Sequence, residues 1–290
     1  MRLHGKFTPY LFLLLPVAVF ASVVIIPVVS TIWFGLIEWN GITEPQFIGL
    51  SNFRRLLSDR VLRDVMVNTL QYAATATVFQ LGLGMLLAIL LQEVKKGQNL
   101  LRMLLFTPTV ISSMAMSQAF RQLLNMSPDG VINAILGVVG LGDWRTAWLS
   151  DPNINIFIVA IVDSFRFAGL YMVIFHAAFT SINSEVLEAA SIDGANKVQT
   201  LFRVKLPMIR AIIVNCLILV SIGTFRAFDG PMILTGGGPG HSSEVISLYM
   251  FRTAFGALDY RYAGAISVLI VVMSILIYTL ISRLTRVKEH

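Results

Sequence analysis

Two charged pairs sit inside stretches that otherwise avoid charge. Asp163 and Arg166 stand three apart within the apolar run from Ile154 to Ile182, which places both on one face of a helix. Arg226 and Asp229 repeat that spacing just after Phe225. Charge at membrane depth is costly, so Asp163 and Arg166 form either a mutually neutralising structural pair or part of a polar pathway. For Arg226 and Asp229 the alternatives are reaching to the interface and lining that pathway. Asn68, Gln71, Gln80 and Asn215 carry amides that hydrogen-bond either a neighbouring helix or the hydroxyls of a solute. His176 reads as a packed residue rather than a proton relay. None of this is a catalytic set: neither H-E-x-x-H nor G-x-S-x-G occurs. The glycines of 236–240 are not a phosphate cradle, because a P-loop needs Gly-Lys-Ser/Thr and the only Gly-Lys here, Gly5-Lys6, is followed by Phe7. Cys216 is the single cysteine; it has no disulfide partner in the chain and reads as a small core hydrophobe.

The segment from Ser184 to Pro207 has a different character. Ser184 is expected to cap a short helix that carries Glu185 in its first turn. Gly194 then permits a reversal. A second short helix follows with Val198, Leu201 and Phe202 as a small apolar face, and Leu206-Pro207 opens the next apolar run. A helix pair clamped between two spans is a stiff handle: a push on it moves the spans.

Those spans follow from composition. Of 290 residues, 56% are hydrophobic and 13% charged, about half the charge of a soluble domain, and mean hydropathy is +0.76. So few charges cannot cover a water-exposed surface, and the natural solvent is lipid. Six runs long enough to cross it are expected: Leu11–Ile37, then 64–93, then a short one in 102–121, Ile154–Ile182, a fifth from Pro207 to Phe228, and 261–283. The first is too long for a cleaved signal peptide and is read as an uncleaved span. The net charge of +6 is assigned to topology and not to nucleic acid. Arg2, Lys6, Lys95, Lys96, Arg102, Lys197, Arg203, Lys205, Arg210, Arg283, Arg286 and Lys288 fall in one alternating set of connections and eight arginines in the other. This bias puts both termini in the cytoplasm. Phe53, Leu56, Leu57, Val61 and Val65 recur at helical spacing among arginines, the pattern of an amphipathic helix at the outer interface. Residues 125–153 read as loop with short helices.

The segment Glu188-Ala189-Ala190, three residues, Gly194, nine residues, Val204, one residue, Leu206-Pro207 resembles the "EAA" signature of ABC-importer permeases, with Val204 where that family usually has Ile. Two further stretches are similar to the carbohydrate-uptake branch of the family, the maltose-type and glycerol-phosphate-type transporters. One is Phe225-Arg-Ala-Phe228-Asp229 with Leu234 to Gly240, Tyr249, Ala254-Phe255 and Tyr262-Ala263. The other is Phe47-Ile-Gly49-Leu50-Ser51-Asn52-Phe53. Together they cover almost the whole chain.

The resemblance implies an all-α integral membrane protein with six transmembrane helices and the type I, MetI-like permease architecture. It divides the chain into a first span with its outer amphipathic segment (1–65), a five-span core (66–284) holding the EAA loop at about 184–207, and a tail (285–290). The implied function is import of a sugar or related polyol across a bacterial or archaeal cytoplasmic membrane. Two ATPase subunits, a second permease (a sister chain, or a second copy of this one) and an extracytoplasmic solute-binding protein complete the complex. ATP and Mg would be bound by the partner ATPases, with no cofactor or metal in this chain. Glu188, Ala189, Ala190, Asp193, Gly194, Ala195, Leu206 and Pro207 would meet the ATPase. Asp163, Arg166, Asn215, Phe225, Phe228 and Asp229 are the candidate substrate pathway. Thr235, Gly236, Gly237, Gly238, Pro239 and Gly240 are the candidate contact for the binding protein. The alternative is a channel or secondary transporter driven by an ion gradient, which would need carboxylates or broken helices at the midplane and gives no reason for the EAA loop.

Overall fold

The computed structural model describes residues 8–38, 44–126 and 130–285. Arg2, Lys6 and the tail after Thr285 lie outside them. By internal contacts the chain forms two units, one of residues 1–60 with 250–272 and one of 61–249 with 273–290.

In the first unit the opening span runs as α1 (Thr8–Phe20), a π-helical turn (Ala21–Ile25) and α2 (Ile26–Leu36). The wide turn falls just ahead of Pro27, whose ring cannot donate to the carbonyl four residues back. Side chains on all sides of this span, from Phe12 to Trp33, are exposed, as on a helix that faces lipid. A two-residue antiparallel hairpin, β1 (Ile37–Glu38) with β2 (Gln46–Phe47), follows; the sequence reading contained no strand. The amphipathic helix α3 covers only Ser51–Ser58. Asp59 turns extended and accepts from the Tyr262 hydroxyl at 2.6 Å, so Val61 and Val65 belong to the next helix rather than to this one. Asn52 Nδ2 donates to Gly35 O at 3.1 Å. Arg55 pairs with Asp259 at 2.7 Å and lies 3.9 Å over the Tyr262 ring.

In the second unit α4 (Arg60–Glu93) is an unbroken 34-residue helix. Then come α5 (Gln98–Val110), α6 (Ser113–Leu123), α7 (Val131–Val138) and α8 (Asn155–Thr180), followed by α9 (Ser184–Ile192) and α10 (Lys197–Thr200). A π-helical turn (Leu201–Lys205) leads into α11 (Leu206–Met208), α12 (Arg210–Thr224) and α13 (Asp229–Leu234). α14 (Ile246–Phe251) and α15 (Tyr260–Leu284) close the chain, each running through residues of both units. Four helical segments are individually long and apolar enough to span: 12–36, α4, α8 and α15. Two bent pairs qualify jointly, which gives up to six if each pair is one span.

One bent pair corrects the expected third span. α5 and α6 meet at 94°, because Ile111 and Ser112 adopt extended dihedrals. The run is uncharged throughout, so hydropathy reads as one span what the backbone builds as two directions. The other pair is the fifth span, bent by 69° where Ile209 leaves the helix. Helix packing in this unit relies on small residues, as is usual where lipid cannot supply a hydrophobic driving force. A Cβ on Gly169 would lie 2.4 Å from Leu105 O, which lets α5 and α8 approach backbone to backbone.

Candidate functional site

A cavity of about 400 Å3 opens in the second unit between α4, α8, α12 and the start of α6. Asp163 on α8 faces it, with Tyr72 of α4 donating to its Oδ2 at 2.5 Å. Arg166, one turn along, places Nη2 3.7 Å from the other carboxylate oxygen. That is beyond a good hydrogen bond, and the Arg166 Nε is buried without a partner. The guanidinium also lies 4.2 Å over the Phe167 ring. Ser113 Oγ is likewise buried and unpartnered. The chain re-enters the cavity wall after α12 with Arg226, Phe228 and Asp229. Gly230 lies close there: a Cβ would stand 3.3 Å from the Asp163 carboxyl carbon and press on that side chain. The wall therefore carries two cations and two carboxylates, with hydroxyl, amide and aromatic groups between them.

The Gly-rich loop is held as a folded unit. Asn155 at the start of α8 donates to Gly238 O at 3.0 Å and to Ser242 Oγ at 2.7 Å. The Ser243 hydroxyl lies within hydrogen-bond distance of both Thr235 Oγ1 and Gly238 O, and its one proton serves one of them at a time. Asn68 of α4 donates to His241 O at 2.7 Å. The Glu244 side chain is fully buried and meets the imidazole of His241. Pro239 and Gly240 remain exposed at the tip.

The EAA segment folds as a helix pair, with one difference at its start. Asn183, not Ser184, caps α9, accepting from Glu185 N at 3.1 Å. Gly194 takes φ +79°. Around it Gly194 N donates to Ser191 O and Ala195 N to Ala190 O, a Schellman closure that needs the left-handed conformation glycine supplies. A capping box of Asn196 and Gln199 restarts the chain as α10. Glu188, Ala189 and Asp193 are exposed, as are the apolar Ile192 (85%), Val198 (64%) and Phe202 (63%). Leu201 does not share that outer face; it turns inward against the cluster around Met172 and Phe175. Lys197 Nζ reaches Glu93 and Lys205 Nζ reaches Gln92, each at 2.8 Å.

Residues 80–289 match the family model described as binding-protein-dependent transport system inner membrane component. The chain belongs to this family. The permease is 32% identical over 275 residues to the probable ABC transporter permease protein YurN of Bacillus subtilis, with 94% of each chain covered. It is 30% identical to the probable starch degradation products transport system permease protein AmyD of Thermoanaerobacterium thermosulfurigenes, covering 92% of this chain and 90% of that one. It is also 30% identical to the trehalose/maltose transport system permease protein MalF of Thermococcus litoralis, covering 94% and 91%. Its fold matches a chain of a bacterial ABC transporter that imports the acidic polysaccharide alginate, with a TM-score of 0.83, 24% identity and coverage of 97% and 96%.

Of the residues singled out in the permease sequence, the cavity gathers Asp163, Arg166, Phe228 and Asp229. Asn215 lies exposed on α12, and Phe225 is buried, neither lining the cavity. Gln80 does line it, whereas Asn68 holds the Gly-rich loop. Tyr72 and Ser113 were not foreseen. A tyrosine on one span says nothing of an aspartate 91 residues away, and Ser113 enters only because the chain bends beside it.

Proposed function

We propose that this permease carries an uncharged, hydroxyl-rich solute, a sugar or polyol, inward through the cavity around Asp163 and Arg166. The observation that carries this reading is the cavity wall itself. Its two arginines and two aspartates compensate each other, so a net charge on the solute would go unmatched. Unpartnered polar atoms on Arg166 and Ser113, with the Gln80 amide and the rings of Phe167 and Phe228 in the same wall, suit a ligand with alternating hydroxyl and C–H faces. Relatives named for starch degradation products and for trehalose/maltose support the substrate class.

The energy comes from two partner ATPases that bind ATP and Mg, docked on the EAA loop through Glu188 and the exposed Ile192, Val198 and Phe202. A second permease, a sister chain or another copy of this one, completes the pathway. An extracytoplasmic binding protein meets the Gly-rich loop 235–240, and both termini lie in the cytoplasm. A solute drives this cycle only through different affinities for the two states. An ion-gradient mechanism gives no role to the EAA loop.

The test is purification from native membranes through a tag on this chain, with mass spectrometry of co-purifying proteins and ATP hydrolysis on the eluate. The reading requires a P-loop ATPase in the complex, and a binding protein whose ligands are sugars or polyols. A chain that emerges alone even after crosslinking overturns it.

A further inference from the structure

Helix α4 touches each of the three places that such a transport cycle must link. Its 34 residues extend about 50 Å. Near its start Asn68 holds His241 O, and Thr69 Oγ1 accepts from Ile246 N at 2.9 Å, which fixes the segment returning from the Gly-rich loop. Further along, Tyr72 donates to Asp163 and Gln80 lines the cavity. At its end Glu93 and Gln92 receive Lys197 and Lys205 from the EAA segment.

One face of that last junction is open. A cavity of about 430 Å3 is lined by Ile89 of α4 and by Leu187 and Leu201, and the residues of both lysine contacts line it too. The polar link on that face is made by two long side chains, beside Leu201 and Leu206, which pack on the apolar cluster that includes Ala88 and Leu91 of α4. Lys197 and Glu93 are 84% and 64% exposed, so their pairing adds little to folding; what it fixes is geometry. One such contact would leave a hinge, whereas two contacts separated along the EAA segment fix both position and direction.

We infer that Glu93–Lys197 and Gln92–Lys205 form a clasp that passes displacement of the EAA loop to α4, and that α4 then moves the cavity wall and the base of the Gly-rich loop together as one strut. Glu93 and Gln92 are positioning residues here. The inference rests on reading 184–207 as the loop that meets the ATPase.

The experiment uses the complex purified from native membranes with its ATPase, carrying Gln80→Cys as a reporter in the cavity wall; the native Cys216 is buried. The rate of labelling by a water-soluble methanethiosulfonate is measured without nucleotide and with ATP, Mg and vanadate. With the clasp intact, nucleotide changes the rate. Glu93→Lys and Lys197→Glu each shrink that change about threefold, a size an exposed ion pair can supply, and the double exchange restores it. Gln92→Leu shrinks it independently. A nucleotide effect that survives both single reversals, or that the double exchange fails to restore, overturns the clasp. An intact complex that hydrolyses ATP while Gln80→Cys labels at one rate overturns the strut. Absence of any co-purifying ATPase overturns the proposed function, a result distinct from these.

Discussion

Arg166 has more hydrogen-bonding capacity than the protein satisfies. Its nearest anion is 3.7 Å away, its Nε has no partner, and only 16% of its side chain is exposed. Removing the neighbouring charge should expose how finely this balance is set. Asp163→Asn leaves Tyr72 a partner but strands a mostly buried cation, and breaking such a pair costs about 3 kcal/mol or more. Adding Arg166→Leu to Asp163→Asn removes the stranded charge. The double variant should recover most of the thermal stability in detergent while failing to transport. If the double variant is less stable than the single one, Asp163 and Arg166 are not a compensated pair. The sequence showed these two residues on one face and left open whether they were structural or lined a pathway. It could not show Tyr72 as the third member, since a contact across 91 residues leaves no local pattern.

Helices were readable where charge marks their ends and unreadable where the chain changes direction inside an apolar run. Glu93 marks the end of α4 and Arg283 that of α15, so these ends were legible, whereas the start of α4 at Arg60 was read as part of the preceding amphipathic helix. The turn at Ile111–Ser112 has no charge, glycine or proline at the break itself, and the run looks continuous. Close approach of α5 and α8 depends on Gly169, where even a methyl group meets Leu105 O. Gly169→Leu should lower stability by about 1–3 kcal/mol, as overpacking does, read as an earlier thermal transition; an unchanged transition would mean that the two helices can part freely. In the first unit Asp259 ties α3 to the start of α15. Burial raises the Asp259 pKa, but hydrogen bonds from Arg55 and the Tyr262 N–H, with the charge of Arg261, hold it below the usual carboxylate range. A depressed carboxylate pKa stabilises the fold above the unfolded pKa, and this stabilisation disappears as pH falls through the folded one. Wild type should therefore exceed Asp259→Asn by about 1 kcal/mol at pH 7, and the two should converge in the acid range. A difference that persists at low pH would assign the effect to packing.

For the chain as a whole, hydropathy pointed to a lipid solvent and to six crossings, where the structure has four single spanning helices and two bent pairs, and the EAA and Gly-rich motifs pointed to the family that residues 80–289 match. Less was legible in how these parts connect. The clasp at Glu93 and Gln92 depends on two lysines more than a hundred residues away, joined only once the second unit is folded. The central claim is that solute passage through the cavity is coupled to a partner's ATP hydrolysis through the EAA loop. Gly194 tests it most directly, because its φ of +79° costs a residue with a Cβ about 1–2 kcal/mol and Gly194 does not line the cavity. The measurement is ATP hydrolysis by the native-membrane complex, comparing wild type with Gly194→Val. The wild-type complex should hydrolyse ATP, with hydrolysis rising when loaded binding protein is added, and the variant should insert in the membrane but lose the rise. A variant stimulated as strongly as wild type would contradict the account.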